Sequence, residues 1–162
     1  MARNRLARML QPLEYLPSPL RARLRSLVMG RAVPFVGTAG LEIEELTPRR
    51  AVVRVPNRRR VQNHLHTVHA AAMALLAETA SGFVVGMNVP DGRVPVVKSM
   101  HVDFLKRAQG AMRAVAELSD AQVAAIEREE KGELAVPVVV TDGEGKQPIE
   151  CTLVWAWTPK RS

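Results

Sequence analysis

A single cysteine, Cys151, stands in the 162 residues, so no disulfide can form within the chain and packing must supply its stability. Aromatic residues are almost as scarce, at 4% against 47% hydrophobic overall, which leaves the core to Ala, Val, Leu and Met. Two Trp, three Phe and one Tyr do not make the basic and aromatic interleaving of a nucleic-acid surface. No apolar run opens the chain as a secretory leader would, because Arg3, Arg5 and Arg8 interrupt it; a cytoplasmic location is the expectation. Repeats, linkers and low-complexity segments are also missing. One domain with a sizeable core fits this length.

What is present is unevenly placed. Residues 1–60 hold thirteen Arg and four Glu, whereas residues 61–162 hold ten Lys or Arg against twelve Asp or Glu. The basicity is local. It reads as a patch for an anionic partner or as a solvated face.

Pro17-Ser18-Pro19 divides two short helices, with Ser18 as cap, Pro19 at the first position and Gly30 as terminator. Leu20, Leu24, Leu27 and Val28 form the stripe expected to pack, with Arg21, Arg23 and Arg25 away from it. Residues 1–34 are thus an expected helical extension, and 35–162 the main domain. Two strands follow around Thr47-Pro48-Arg49-Arg50, and then a polar loop. A long helix is expected over 68–86, ended by the Pro90-Asp91-Gly92 turn. Strands at 96–105 and 111–118 lead to a short helix at 121–130 capped by Ser119-Asp120. A strand at 134–140 and the last strand at 149–158 form a closing hairpin. Trp155 and Trp157 share a face, directed at the N-terminal helices or an interface. One apolar helix against mainly antiparallel strands gives an α+β fold with the sheet wrapping the helix.

Between Val68 and Val89 the only charged side chain is Glu78. The stretch has the length of a membrane span, but His69 and Glu78 interrupt it and no basic anchors flank it. A buried core helix is expected, and no stable membrane insertion. Burial penalises a carboxylate unless it is paired, and raises its pKa, which poises it as a general base near neutrality. The competing reading places Glu78 at a rim beside a surface Arg. His69 and Glu78 are nine residues apart, roughly 13.5 Å of rise and about 180° of rotation. One helix cannot bring both to one atom. If the free N–H groups at residues 68–71 hold a carbonyl oxygen, Glu78 must come from an antiparallel second copy. A homodimer follows, possible also as a dimer of dimers.

The stretch Asn63-His64-Leu65-His66-Thr67-Val68-His69-Ala70-Ala71, with Glu78 nine residues after His69, resembles hotdog-fold acyl-CoA thioesterases of the phenylacetate-pathway type. That family shows Asn, a short loop, His-Gly-Gly and an acid nine residues beyond the His. Most of all it resembles a bacterial branch in which the motif reads His-Ala. Lys98-Ser99-Met100-His101-Val102-Asp103-Phe104-Leu105-Lys106-Arg107-Ala108, with Gly110, looks like the family's next strand, and the likeness spans about 40–158. It implies a hotdog dimer that hydrolyses thioesters without metal or prosthetic group, acyl-CoA entering as substrate. It implies that Ala70 N–H polarises the thioester carbonyl and Asn63 orients substrate or water. Glu78 of the partner chain would be general base or nucleophile, and His69 would support the loop. His64, Thr67, Val97 and Ser99 become the expected substrate contacts. Ala70-Ala71 stands for Gly-Gly, Glu78 for the commoner Asp, and Val97 for a hydroxyl residue of some members; Ser99 follows on the same strand face.

Other signals are weaker. His64, His66 and His69 cluster, yet no Cys or carboxylate stands at zinc-ligand spacing. His64 lies fourteen residues before Glu78, similar to hotdog β-hydroxyacyl dehydratases, whose Pro- and Gly-rich connection is missing. A dehydratase or hydratase, or a non-catalytic acyl-CoA-binding domain, are the alternatives. Arg58, Arg59, Arg60, Lys106 and Arg107 flank the site in sequence and suit the phosphates of CoA.

Overall fold

The structure, a computed structural model, describes residues 4–160. Helix α1 (Arg5–Leu10), a 3-10 turn (Gln11–Tyr15), α2 (Ser18–Ala32) and α3 (Pro34–Ala39) precede strands β1 (Glu42–Leu46) and β2 (Arg50–Val55). A 3-10 turn (Arg59–Val61) leads to α4 (Ala70–Gly86). Then come β3 (Arg93–Phe104), β4 (Met112–Glu117), α5 (Asp120–Arg128), β5 (Gly132–Val136), β6 (Val138–Thr141) and β7 (Ile149–Pro159). All strand pairs are antiparallel, in the orders β1-β2-β4-β6 and β3-β7-β5.

The run expected as one strand over 134–140 is two. Pro137, which has no N–H to give a ladder, separates β5, paired with β7, from β6, paired with β4. The chain therefore crosses from one sheet to the other at that proline, and the strands curve around α4. Leu76, Ala77, Ala80 and Val84 of α4 are buried together with Val53, Val55, Met112, Ala114 and Leu153 of the strands. At about 25 cal/mol per Å² of apolar surface, this core draws mostly on many Ala, Val and Leu side chains, with Trp155 and Trp157 as its largest members. Among the described residues no helix is long and apolar enough to cross a membrane.

The N-terminal helices share that core instead of lying outside it. Asn4 caps α1 through its Oδ1, which accepts Ala7 N–H at 2.9 Å. Its Nδ2 donates to Gly86 O and Val89 O, both at 2.7 Å, satisfying carbonyls at the end of α4 that the helix leaves free. Helix α2 does not end at Gly30; it continues to Ala32, and Gly30 is where α3 approaches. A Cβ added at Gly37 would stand 2.7 Å from Gly30 O.

The buried face of α2 also differs from expectation. Leu20 and Leu27 are exposed, while Arg25 and Met29 are buried. Arg25 Nη2 lies 2.8 Å from the Glu14 carboxylate, and Nη1 donates to Glu44 O at 3.0 Å. A guanidinium enters the interior when a carboxylate and a carbonyl receive it. Of the expected stripe, Leu24 and Val28 are half-buried, with Val28 packed on the core, and only Leu20 and Leu27 face outward.

Trp155 and Trp157 point neither at the N-terminal helices nor at solvent. Trp155 covers Gly82 of α4 and donates from Nε1 to Ser81 Oγ at 2.9 Å. Trp157 covers Gly132 and donates to Glu129 O at 2.7 Å. In each case a glycine supplies the space for the ring. The end of α5 is thereby tied to β7. Its start follows expectation, with Ser119 and Gln122 forming a reciprocal capping box.

Candidate active site

The loop ahead of α4 is shaped by its own side chains. Asn63 Oδ1 accepts the N–H groups of Leu65 (2.9 Å) and Thr67 (3.2 Å), and its Nδ2 lies 3.1 Å from Thr67 Oγ1. Such Asx-type bonding lets a short loop reverse without secondary structure. His66 is the only described non-glycine residue with positive φ, at 58°. Its carbonyl accepts Asn57 Nδ2 at 3.1 Å, and the Leu65 carbonyl accepts Arg107 Nη2 at 2.9 Å. Three long-range and local braces thus hold a loop whose His64 and Leu65 side chains are exposed. Thr67 is buried within it.

The helix that follows begins at Ala70, two residues later than expected, because His69 is its N-cap. His69 Nδ1 accepts Ala71 N–H at 3.0 Å, which requires the ring proton on Nε2. The His69 carbonyl takes the N–H groups of Ala72 and Met73 at 2.9 and 3.0 Å. Ala70 N–H is left with no partner among the described residues, and Ala70 is exposed. An unpaired amide at a helix start is a natural donor to an oxyanion.

Glu78 lies two turns further on, about 12 Å along the axis. The helix is not enclosed on all sides as its composition suggests. Ala71, Ala74, Leu75 and Glu78 form a stripe that the sheet leaves partly open, since strands wrap only the remaining faces. Burial pushes the Glu78 carboxyl above its ordinary value of 4.5, and the Thr79 hydroxyl offsets this in part. That hydroxyl stands 3.5 Å from Oε2, at the outer limit of a hydrogen bond. No Arg or Lys ion-pairs with Glu78 among the described residues, so the rim pairing is not what holds it.

Strand β3 passes alongside. It pairs with β7 on one side only, leaving a twelve-residue edge. Val97 pairs with Trp155 but Ser99 with Val154, a bulge at Lys98. Neighbouring positions on β7 face opposite ways, so Val97 and Ser99 lie on opposite faces, not the same one. Val97 shares the helix side with Met100 and Phe104, which pair with Leu153 and Ile149. All three are exposed.

The basic candidates scatter. Arg107 bonds the loop at Leu65, a brace that its place after β3 could not reveal. Arg58 reaches Glu42 at 3.4 Å, and Arg58 and Arg60 line a groove against α2. Arg59 and Lys106 are exposed. Among the described residues no three His, Cys, Asp or Glu side chains converge as a metal set. Asn57 and Thr79 are further residues at the site that motif reading missed; their only signal is polarity beside the motif.

Within one chain the amide of Ala70 and the carboxylate of Glu78 remain apart. Two cavities, of about 750 and 640 Å³, lie elsewhere and include neither group. The arrangement can hold a carbonyl oxygen at one end of α4 and supply a base at its middle.

Among curated proteins, no relative matches. Solved structures do. A Pseudomonas aeruginosa protein of unknown function, described as "Probable Thioesterase", is 27% identical over 90% of this chain and 97% of its own, with a TM-score of 0.73. A Haemophilus influenzae thioesterase is 16% identical over 77% of this chain and 82% of its own, with a TM-score of 0.63. A Staphylococcus aureus thioesterase, solved as a mutant, is 16% identical over 78% of this chain and all of its own, with a TM-score of 0.67. These likenesses confirm the α+β hotdog fold, with α4 as the wrapped helix. A family model matches residues 21–157, and the chain belongs to that family, the domain of unknown function DUF4442.

Proposed function

We propose that this protein is an acyl-CoA thioesterase of the phenylacetate-pathway type, acting at two equivalent sites shared across a homodimer. The observation that carries the reading is the presence of one unpartnered amide, at Ala70, and one half-buried carboxylate without an ion-pair partner, at Glu78, on a single apolar helix. The unpaired edge of β3 supports the dimer. A long strand exposing Val96, Val97, Met100 and Phe104 invites pairing with another chain, and a second copy of β3 extends the sheet antiparallel. The open stripe of α4 then faces its counterpart, and each Glu78 approaches the other chain's Ala70.

In that arrangement the thioester oxygen receives the Ala70 N–H. Glu78 takes a proton from water as the water oxygen bonds to the carbonyl carbon. The tetrahedral intermediate then expels the thiolate by breaking its C–S bond, and the thiolate takes the proton from Glu78. Alternatively the carboxylate attacks the carbonyl carbon and the C–S bond breaks, leaving an acyl-enzyme anhydride and the thiolate; water then cleaves the anhydride to the acid and the regenerated Glu78, and its released proton goes to the thiolate. His69 keeps the helix start in shape, and Asn63 keeps the loop open to substrate. Arg59 and Lys106, exposed and outside the groove against α2, are the remaining candidates for the CoA phosphates.

The test is thiol release from short, long and aromatic acyl-CoA thioesters. Turnover of at least one class is expected. Tight binding of all three without turnover would leave an acyl-CoA-binding protein and overturn the enzyme reading.

A further inference from the structure

The outward face of α2 and its flanks do no packing work in the fold. Leu20, Arg23, Leu27 and Arg31 recur at three- and four-residue steps, so they form one line along a helix of about 22 Å. Leu20 is 46% and Leu27 49% exposed; Tyr15 before the helix is 84% and Phe35 after it 61% exposed. The orientation is fixed from behind. Arg25 and Met29 are buried on the opposite face, and Ser26 Oγ accepts the N–H of Ile43 on β1 at 2.7 Å.

Beside this ridge runs a cavity of about 640 Å³ with Arg23, Arg31, Arg58 and Arg60 in its walls. Glu42 and Glu44 also line it, but Glu42 is engaged by Arg54 and Arg58, and Glu44 by Arg113. The guanidinium groups of Arg23, Arg31 and Arg60 make no hydrogen bond or ion pair among the described residues. The Arg60 guanidinium lies against Gly40 and leaves no room for a Cβ there. The result is a ridge of apolar tips with unengaged guanidinium groups beside it.

We propose that this face binds the surface of an anionic lipid bilayer. Phosphate headgroups occupy the arginine cavity, and Tyr15, Leu20, Leu27 and Phe35 dip into the interface below them. A bilayer presents phosphate charge next to hydrocarbon, and this face presents exposed apolar side chains next to unengaged guanidinium groups. The attachment is peripheral, since no described helix is long and apolar enough to cross a membrane. It does not depend on the thioesterase reading.

The experiment is co-sedimentation of the full-length chain with vesicles of phosphatidylcholine alone and of an equimolar mixture with phosphatidylglycerol. Each surface arginine contributes roughly fivefold in partitioning. Binding to the mixed vesicles only is expected, reduced tenfold or more by Arg23→Glu with Arg31→Glu, and likewise by Leu27→Ser with Phe35→Ser. Thermal melts of both variants should match wild type, because all four side chains lie at the surface. A Phe35→Trp variant should show a blue-shifted emission on binding. No binding to the mixed vesicles overturns the proposal. So does binding that survives the Leu27 and Phe35 changes, which would mark a site for phosphate alone. A changed oligomeric state in Leu27→Ser, read by light scattering, would assign the face to a second copy and overturn it too.

Discussion

Glu78→Gln is expected to lower thioester hydrolysis about 10²- to 10⁴-fold, the contribution of a positioned general base, while the protein stays folded. The pH dependence sharpens this. Burial raises the Glu78 carboxyl above its ordinary 4.5, so the ionised base is lost, and wild-type activity falls, as pH drops through that raised value. The stability effect has the opposite sign. A raised carboxyl contributes stability that is fully present below the ordinary value and is lost as pH rises through the raised one. Near neutrality Glu78→Gln should therefore unfold at a temperature no lower than wild type, with the difference vanishing in acid. Calorimetry beside initial rates across pH reads both. A variant that is inactive and also strongly destabilised would make Glu78 a structural residue.

Ala70→Pro is the second large effect. Proline at the first position of a helix removes one N–H and leaves the helix intact, since that amide has no partner within the helix. The preceding residue must be extended, and His69 already is, with φ −66° and ψ 145°. Loss of one oxyanion donor lowers kcat about 10²- to 10³-fold, and the melting temperature should hold or rise because the unfolded chain loses freedom. Ala70→Ser, which keeps the N–H, should retain most of the rate. Equal loss in both variants would mean that side-chain bulk at this position, rather than the amide, explains the effect.

The place of Glu78 on an apolar helix and its distance from the helix start were legible in the sequence for physical reasons, whereas Ala70 was singled out by the family resemblance. A lone acid on an apolar helix has few meanings, and helical rise and rotation follow from residue spacing without any structure. The split strand was also within reach, since Pro137 cannot serve the middle of a ladder. Other features depend on partners distant in the chain. Leu20 and Leu27 looked like the packing face of α2, and only the arrival of Glu14 and Glu44 O explains why Arg25 lies inside instead. The bulge at Lys98, which turns Ser99 away from Val97, is set by pairing with β7 and leaves no mark on the local pattern. Arg107 looked like a phosphate ligand, and its contact with Leu65 O appears only when the chain after β3 returns to the loop. The tryptophans illustrate the same limit: their spacing revealed a shared face, but Gly82 and Gly132 decide what that face meets.

The central claim is that one site takes its amide from one chain and its carboxylate from the other. Co-expressing Glu78→Gln and Ala70→Pro chains with different affinity tags allows the mixed dimer to be isolated. One of its two sites would combine an intact Ala70 with an intact Glu78, so about half the wild-type rate per dimer is predicted from two-fold symmetry. A mixed dimer as inactive as either parent would contradict the shared site.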